Sequence, residues 1–181
     1  MRITASMSAL FPISDRKRFQ TKPTLILGIG NYLMGDEGVG VHAVRRLESE
    51  LLPEGVELVD GGTGGFHLLS FFHNYDPLIL VDATMDGRPA GTVRLLTPRF
   101  ASDFPRSLGA HDIGLRDLIE SAVLTRDLPL IFLVTVSIDR IESATTILSP
   151  PVQCALDKVV DTVFAIVNKR PLTKRPAPAL L

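Results

Sequence analysis

Short apolar runs alternate along the chain with longer stretches in which apolar positions recur every three or four residues. Thr24 to Leu27, Pro77 to Val81 and Leu130 to Val136 are close to continuously apolar, the mark of strands covered on both faces. Val56-Glu57-Leu58-Val59 and Thr92 to Leu96 alternate instead, the second suiting a sheet edge. Between these runs, Ala43, Val44, Leu47 and Leu51 mark a helix over Val39 to Leu52, and Leu69 and Phe72 a short one over Phe66 to Tyr75. Leu115, Leu118, Ile119 and Ala122 predict a helix over Asp112 to Leu124. Ala155, Leu156, Val159, Val160 and Val163 predict a last one over Val152 to Val167. Strands that alternate with helices imply a single α/β domain, a twisted, mostly parallel five-stranded sheet with helices on both faces. The domain is expected over 23–170, between an N-terminal extension (1–22) and a proline-rich tail (171–181).

Composition narrows the function classes. A chain of 181 residues, 45% hydrophobic and 22% charged, buries one substantial core. A formal net charge of −1 offers no basic excess for nucleic acid. No run approaches the roughly 18 apolar residues that span a bilayer. Near the N-terminus, Ser6, Ser8 and Pro12 interrupt the apolar content, and the charged Asp15-Arg16-Lys17-Arg18 comes after it, the reverse of a secretory signal. The single cysteine, Cys154, rules out an internal disulfide and suits a reducing compartment, so a cytoplasmic location is expected.

Candidate chemistry gathers where strands end. After the first strand come closely spaced glycines and two adjacent acids, in Gly28-Ile29-Gly30-Asn31-Tyr32-Leu33-Met34-Gly35-Asp36-Glu37-Gly38-Val39-Gly40. Leu33 stands where a dinucleotide fingerprint wants glycine or alanine, so a nucleotide-binding module is an alternative and not the first reading. Asp36 and Glu37 fit a solvated helix start if taken alone. Asp82, however, directly follows an apolar strand, and Asp60 follows another, with a glycine turn as its competing role. These places lie at the carboxyl edge of the sheet, where open α/β folds bind ligands. Of the four histidines, His42 is expected to be exposed beside Arg45 and Arg46, and His67 and His73 flank a short helix. His111, between a polar loop and a helix, is the one candidate ligand or catalyst. Two carboxylates and an imidazole would suit Ni, Zn, Co or Mn with coordination places left open. Cys154 lies far along the chain, and no G-x-S-x-G elbow marks a serine nucleophile.

Four segments, in order, resemble the hydrogenase maturation endopeptidases. They are Gly28 to Val41, Val59-Asp60-Gly61-Gly62-Thr63-Gly64-Gly65, Leu80-Val81-Asp82-Ala83, and His111-Asp112-Ile113-Gly114-Leu115, and the likeness runs from about Leu25 to Val167. The resemblance implies a peptidase that removes the C-terminal peptide of a nickel–iron hydrogenase large-subunit precursor after nickel insertion. It implies Glu37, Asp82 and His111 as the residues that contact the metal, with nickel supplied by the precursor and not held permanently. Asp36 and Asp60 are secondary candidates, as orienting groups or substrate contacts. Cleavage would be metal-assisted or of aspartic type, the latter through Asp82 or Asp36. A non-enzymatic nickel binder is a further alternative. After the fifth strand the family often carries a glycine and a proline, where this chain has Val136-Ser137-Ile138-Asp139.

Overall fold

The computed structural model of the chain describes residues 22–98, 103, 119–122 and 128–168. Strands β1 (Thr24–Gly28), β2 (Val56–Asp60), β3 (Leu78–Thr84), β4 (Val93–Leu96) and β5 (Ile131–Ser137) form one sheet in the order β2-β1-β3-β5-β4. The pairings of β1, β2, β3 and β5 are all parallel, and β4 joins β5 antiparallel at the edge. Helices α1 (Val39–Leu47), α2 (Leu69–Asn74) and α3 (Pro150–Asn168) accompany them, and 119–122 is also helical.

The apolar runs of β1 and β3 have a direct cause in the layering. Side chains of a strand alternate between faces. Ile26, Ile79, Val81, Val134 and Val136 turn toward Val39, Ala43 and Leu47 of α1 and Val152, Val159 and Val163 of α3. Leu25, Leu27, Leu78, Leu80 and Leu133 turn the other way, toward Leu68, Phe72, Ile119 and Ala122. Both faces are therefore covered, as the sequence pattern predicts.

Chain order places the ligand edge. From β1 the chain passes to β2 on one side, while β3 adds to β1 on the other. That reversal is the switch point at which the loops beyond two neighbouring parallel strands diverge and leave a crevice. Glu37 follows β1 and Asp82 belongs to β3, so the topology brings both to this crevice.

Several boundaries differ from the sequence reading, each for a local reason. Helix α1 stops at Leu47 and not at Leu52. Glu50 N–H already bonds back to Leu47 in a tighter turn, and Leu51 is 94% exposed, so the periodic leucine has no core to face. Strand β3 continues past Val81 to Thr84, because Asp82, Ala83 and Thr84 keep pairing with Thr135, Val136 and Ser137. Asp82 thus lies inside the strand and not after it. Helix α3 starts at Pro150, two residues early, since prolines in a first turn lack only an N–H that would be unbonded anyway. The expected extension, apart from Lys22, the tail and most of the Asp112 to Leu124 helix lie outside the described residues.

Candidate functional site

The segment from β1 to α1 is a turn of backbone against backbone. A Cβ on Gly28 would lie 2.1 Å from the Gly40 carbonyl oxygen, and one on Gly30 would lie 2.2 Å from that of Glu37. A Cβ on Gly40 would meet the carbonyl oxygens of Ile29 at 2.2 Å and Val81 at 2.3 Å. These glycines let the end of β1, the 3-10 turn Gly35–Gly38 and the first turn of α1 touch directly. Their spacing is accounted for by packing, which leaves the nucleotide reading without its main support.

A distant loop clamps the same turn. Gly35 N–H donates to the Thr145 carbonyl (2.9 Å) and Thr145 N–H to that of Leu33 (3.1 Å). The Asp36 carboxylate accepts the Ser149 N–H (2.6 Å) and the Ser149 hydroxyl (2.7 Å), across 113 positions of sequence. Asp36 is buried, not a solvated helix start, and both its oxygens serve to fix the turn. A role as proton acceptor would compete with those bonds.

Glu37, next to it, points inward and is fully buried, as is Asp82. The Asn31 N–H donates to Glu37 Oε2, and the Ala83 N–H donates to Asp82 Oδ1 at 2.8 Å. Burial above all, and then the charge of Glu37, hold the Asp82 carboxyl well above the usual carboxylate range, while the Ala83 N–H pulls it back. The two acids therefore share one field at the carboxyl edge of β1 and β3. Two buried carboxylates in one field raise each other's energy, and a cation or a shared proton relieves that cost. His111 lies outside the described residues. Among the described residues no three His, Cys, Asp or Glu side chains form a group able to hold a metal ion.

The remaining candidates take other roles. Asp60 accepts the Gly62 N–H at 2.9 Å and sits 3.9 Å from Arg45, so its turn role prevails. His42, expected to be exposed, is half-buried with its ring centroid 4.8 Å from that of Tyr32. Arg45 turns its guanidinium onto the other ring partner, 3.8 Å from the Tyr32 centroid. Burial, and then Arg45, lower the His42 pKa against a hydrogen bond to the Thr146 backbone. The exposed His67 and the half-buried His73 lie at the short helix.

The sequence reading passed over a polar row on the face that otherwise carries Leu80 and Leu133. Asp82 and Thr84 of β3 stand beside Thr135 and Ser137 of β5, all four buried. The Ser137 hydroxyl donates to Asp86 at 2.8 Å, and Arg94 also reaches Asp86, at 3.3 Å. The signal was present: polar residues two apart, twice, at the ends of strands that are apolar elsewhere.

Comparison with known proteins agrees with this fold. The family model described as hydrogenase maturation protease (HycI) matches residues 41–166, a span that includes Asp82 and His111 and begins just after Glu37. The hydrogenase 2 maturation protease of Escherichia coli (strain K12) is 32% identical over 160 residues, 86% of this chain and 97% of that protein. The hydrogenase expression/formation protein HupD of Rhodobacter capsulatus is 43% identical over 112 residues, 59% of this chain and 52% of its own. Among solved structures, the hydrogenase maturating endopeptidase HybD of E. coli superimposes with a TM-score of 0.73 at 32% identity, over 81% of this chain and 93% of that one.

Proposed function

Because the chain belongs to the hydrogenase maturation protease family and is thus a peptidase, we propose that its substrate is the precursor of a nickel–iron hydrogenase large subunit, trimmed at its C-terminus. The observation that carries this reading is the pairing of Glu37 with Asp82, buried together in the crevice between β1 and β3. In this proposal nickel arrives with the precursor. Glu37, Asp82 and His111 take open positions on that nickel, two carboxylates and an imidazole being a donor set that divalent nickel accepts. Binding a cation lowers the cost of holding the two acids side by side, so the charged site favours a nickel-loaded precursor over an empty one. The seating of nickel then places the adjoining peptide bond over the sheet edge.

Hydrolysis needs an activated water and a stabilised oxyanion. We assign the water to a carboxylate of the pair acting as general base, with Asp82 as our choice. Asp36, held by Ser149, acts on the turn and not on the substrate. In the glycine cluster Gly61 to Gly65, Gly62 and Gly64 leave room for an extended precursor tail to lie close to the backbone. We place the reaction in the cytoplasm, in keeping with a chain whose one cysteine, Cys154, is free. No helix among the described residues is long and apolar enough to cross a membrane.

The test is an intact-mass measurement of a hydrogenase large-subunit precursor incubated with this protein, with and without nickel loaded. Loss of a C-terminal peptide only from the loaded precursor is expected. A precursor left whole in both cases, while the protein binds nickel tightly, would establish a nickel binder instead.

A further inference from the structure

One buried polar group next to the paired acids has no work in the resting chain. Thr135 is fully buried on β5, and among the described residues its hydroxyl has no hydrogen-bond partner. It is the register partner of Asp82 on β3, so the two side chains leave the same face of strands about 4.8 Å apart. Around it the similar positions differ. The Ser137 hydroxyl is committed to Asp86, and Asp86 also takes Arg94. A buried hydroxyl without a partner costs on the order of 1–3 kcal/mol, and a valine would fill the same volume without that cost. Local rules broken in this way concentrate where a site needs them.

We propose that Thr135 is a positioning residue for Asp82: its hydroxyl is the reserve donor that holds the Asp82 carboxylate in its working orientation when the precursor is bound. A turn about the Thr135 Cα–Cβ bond swings the hydroxyl toward its neighbour on β3. The bond then formed has an ionised acceptor, the stronger kind of hydrogen bond. Asp82 already has one oxygen on the Ala83 N–H, and a second donor from the next strand would fix the plane of the group. Outer partners of metal-binding side chains act in this manner, orienting the group without touching the ion. The inference rests on the function proposed above and adds a residue to it.

The experiment compares wild type, Thr135→Val and Thr135→Ser in trimming a nickel-loaded large-subunit precursor, together with the melting temperature of each. Thr135→Val should melt at or above the wild-type temperature, since it removes an unpaired polar group. Its kcat should fall roughly tenfold or more with KM within about twofold, and Thr135→Ser should restore most of the rate. A merely structural threonine would give the reverse: wild-type kcat in a valine variant, or a loss that serine does not repair, and either result overturns the proposal. Wild-type protein that leaves the precursor whole would bring down the functional reading itself, and this one with it.

Discussion

Replacing Gly40 by alanine tests whether the backbone-against-backbone turn is what seats the site. The new methyl would stand 2.2 Å from the Ile29 carbonyl oxygen, 2.3 Å from that of Val81 and 2.6 Å from the Ile29 nitrogen. All three atoms belong to main chain at the junction of β1 and β3, which is paired through the Ile29 N–H and Val81 carbonyl at 2.8 Å. They cannot swing aside as a side-chain tip would, so α1 must move away from the sheet by about an ångström or more. Overpacking a core usually costs about 1–3 kcal/mol, and a clash with two fixed carbonyls belongs at or above the upper end. For a domain of this size that is a fall in melting temperature of roughly 6–12 °C. Gly55→Ala is the control. Gly55 has φ +78° but nothing within 4 Å of a Cβ, so only the left-handed backbone opposes the change, at roughly 1–2 kcal/mol. Thermal melts followed by circular dichroism give the comparison. A Gly40→Ala variant that melts within about two degrees of wild type, or above Gly55→Ala, would refute the packing argument and return the glycine turn to a ligand-binding explanation.

The other predictions concern the acids. Asp36→Ala should destabilise the fold by about 3 kcal/mol, because a buried carboxylate that accepts two hydrogen bonds from Ser149 is lost and two donors are left unpaired; a urea midpoint equal to wild type would show the clamp to be idle. Asp82→Asn should change stability in a pH-dependent way. The folded Asp82 carboxyl holds its proton more tightly than the unfolded one, so its contribution is complete below the unfolded value near 3.9 and is lost as pH rises through the raised folded value. Asparagine has no such loss, so the stability of the variant relative to wild type should increase from about pH 4 into the neutral range. Urea midpoints across that range that run parallel for the two proteins would contradict it.

The layers of the fold were legible because burial on both faces writes itself into strands as unbroken apolar runs. Ile26, Ile79 and Val134 face α1 and α3, while Leu25, Leu80 and Leu133 face α2 and 119–122, and no polar position is left between. Termini were harder, since hydrogen bonding and not hydropathy ends an element. Leu51 keeps the helical spacing after α1 has ended, and Asp82 interrupts the apolar pattern while β3 goes on to Thr84. Of the site, Glu37 and Asp82 were readable as acids at the sheet edge, but their sharing of one buried field depends on strand order. Asp36 and Glu37 are adjacent and alike in sequence. Only the loop that delivers Ser149 from far along the chain separates the clamp from the chemistry. Thr135 and Ser137 stand two apart and are visible as a polar pair at the end of an apolar strand, but nothing in the sequence marks the Thr135 hydroxyl as unpartnered, since threonine there also reads as one more β-branched residue.

The most direct measurement is the trimming of a nickel-loaded large-subunit precursor by the Asp82→Asn variant, read as intact mass over time beside wild type. Asparagine keeps the shape of the side chain and the bond from the Ala83 N–H while removing the charge and the basic oxygen. The variant is expected to fold, to melt no lower than wild type at neutral pH, and to leave the precursor at full length. Cleavage at the wild-type rate would contradict it, and the paired acids of β1 and β3 would lose their place at the centre of the reaction.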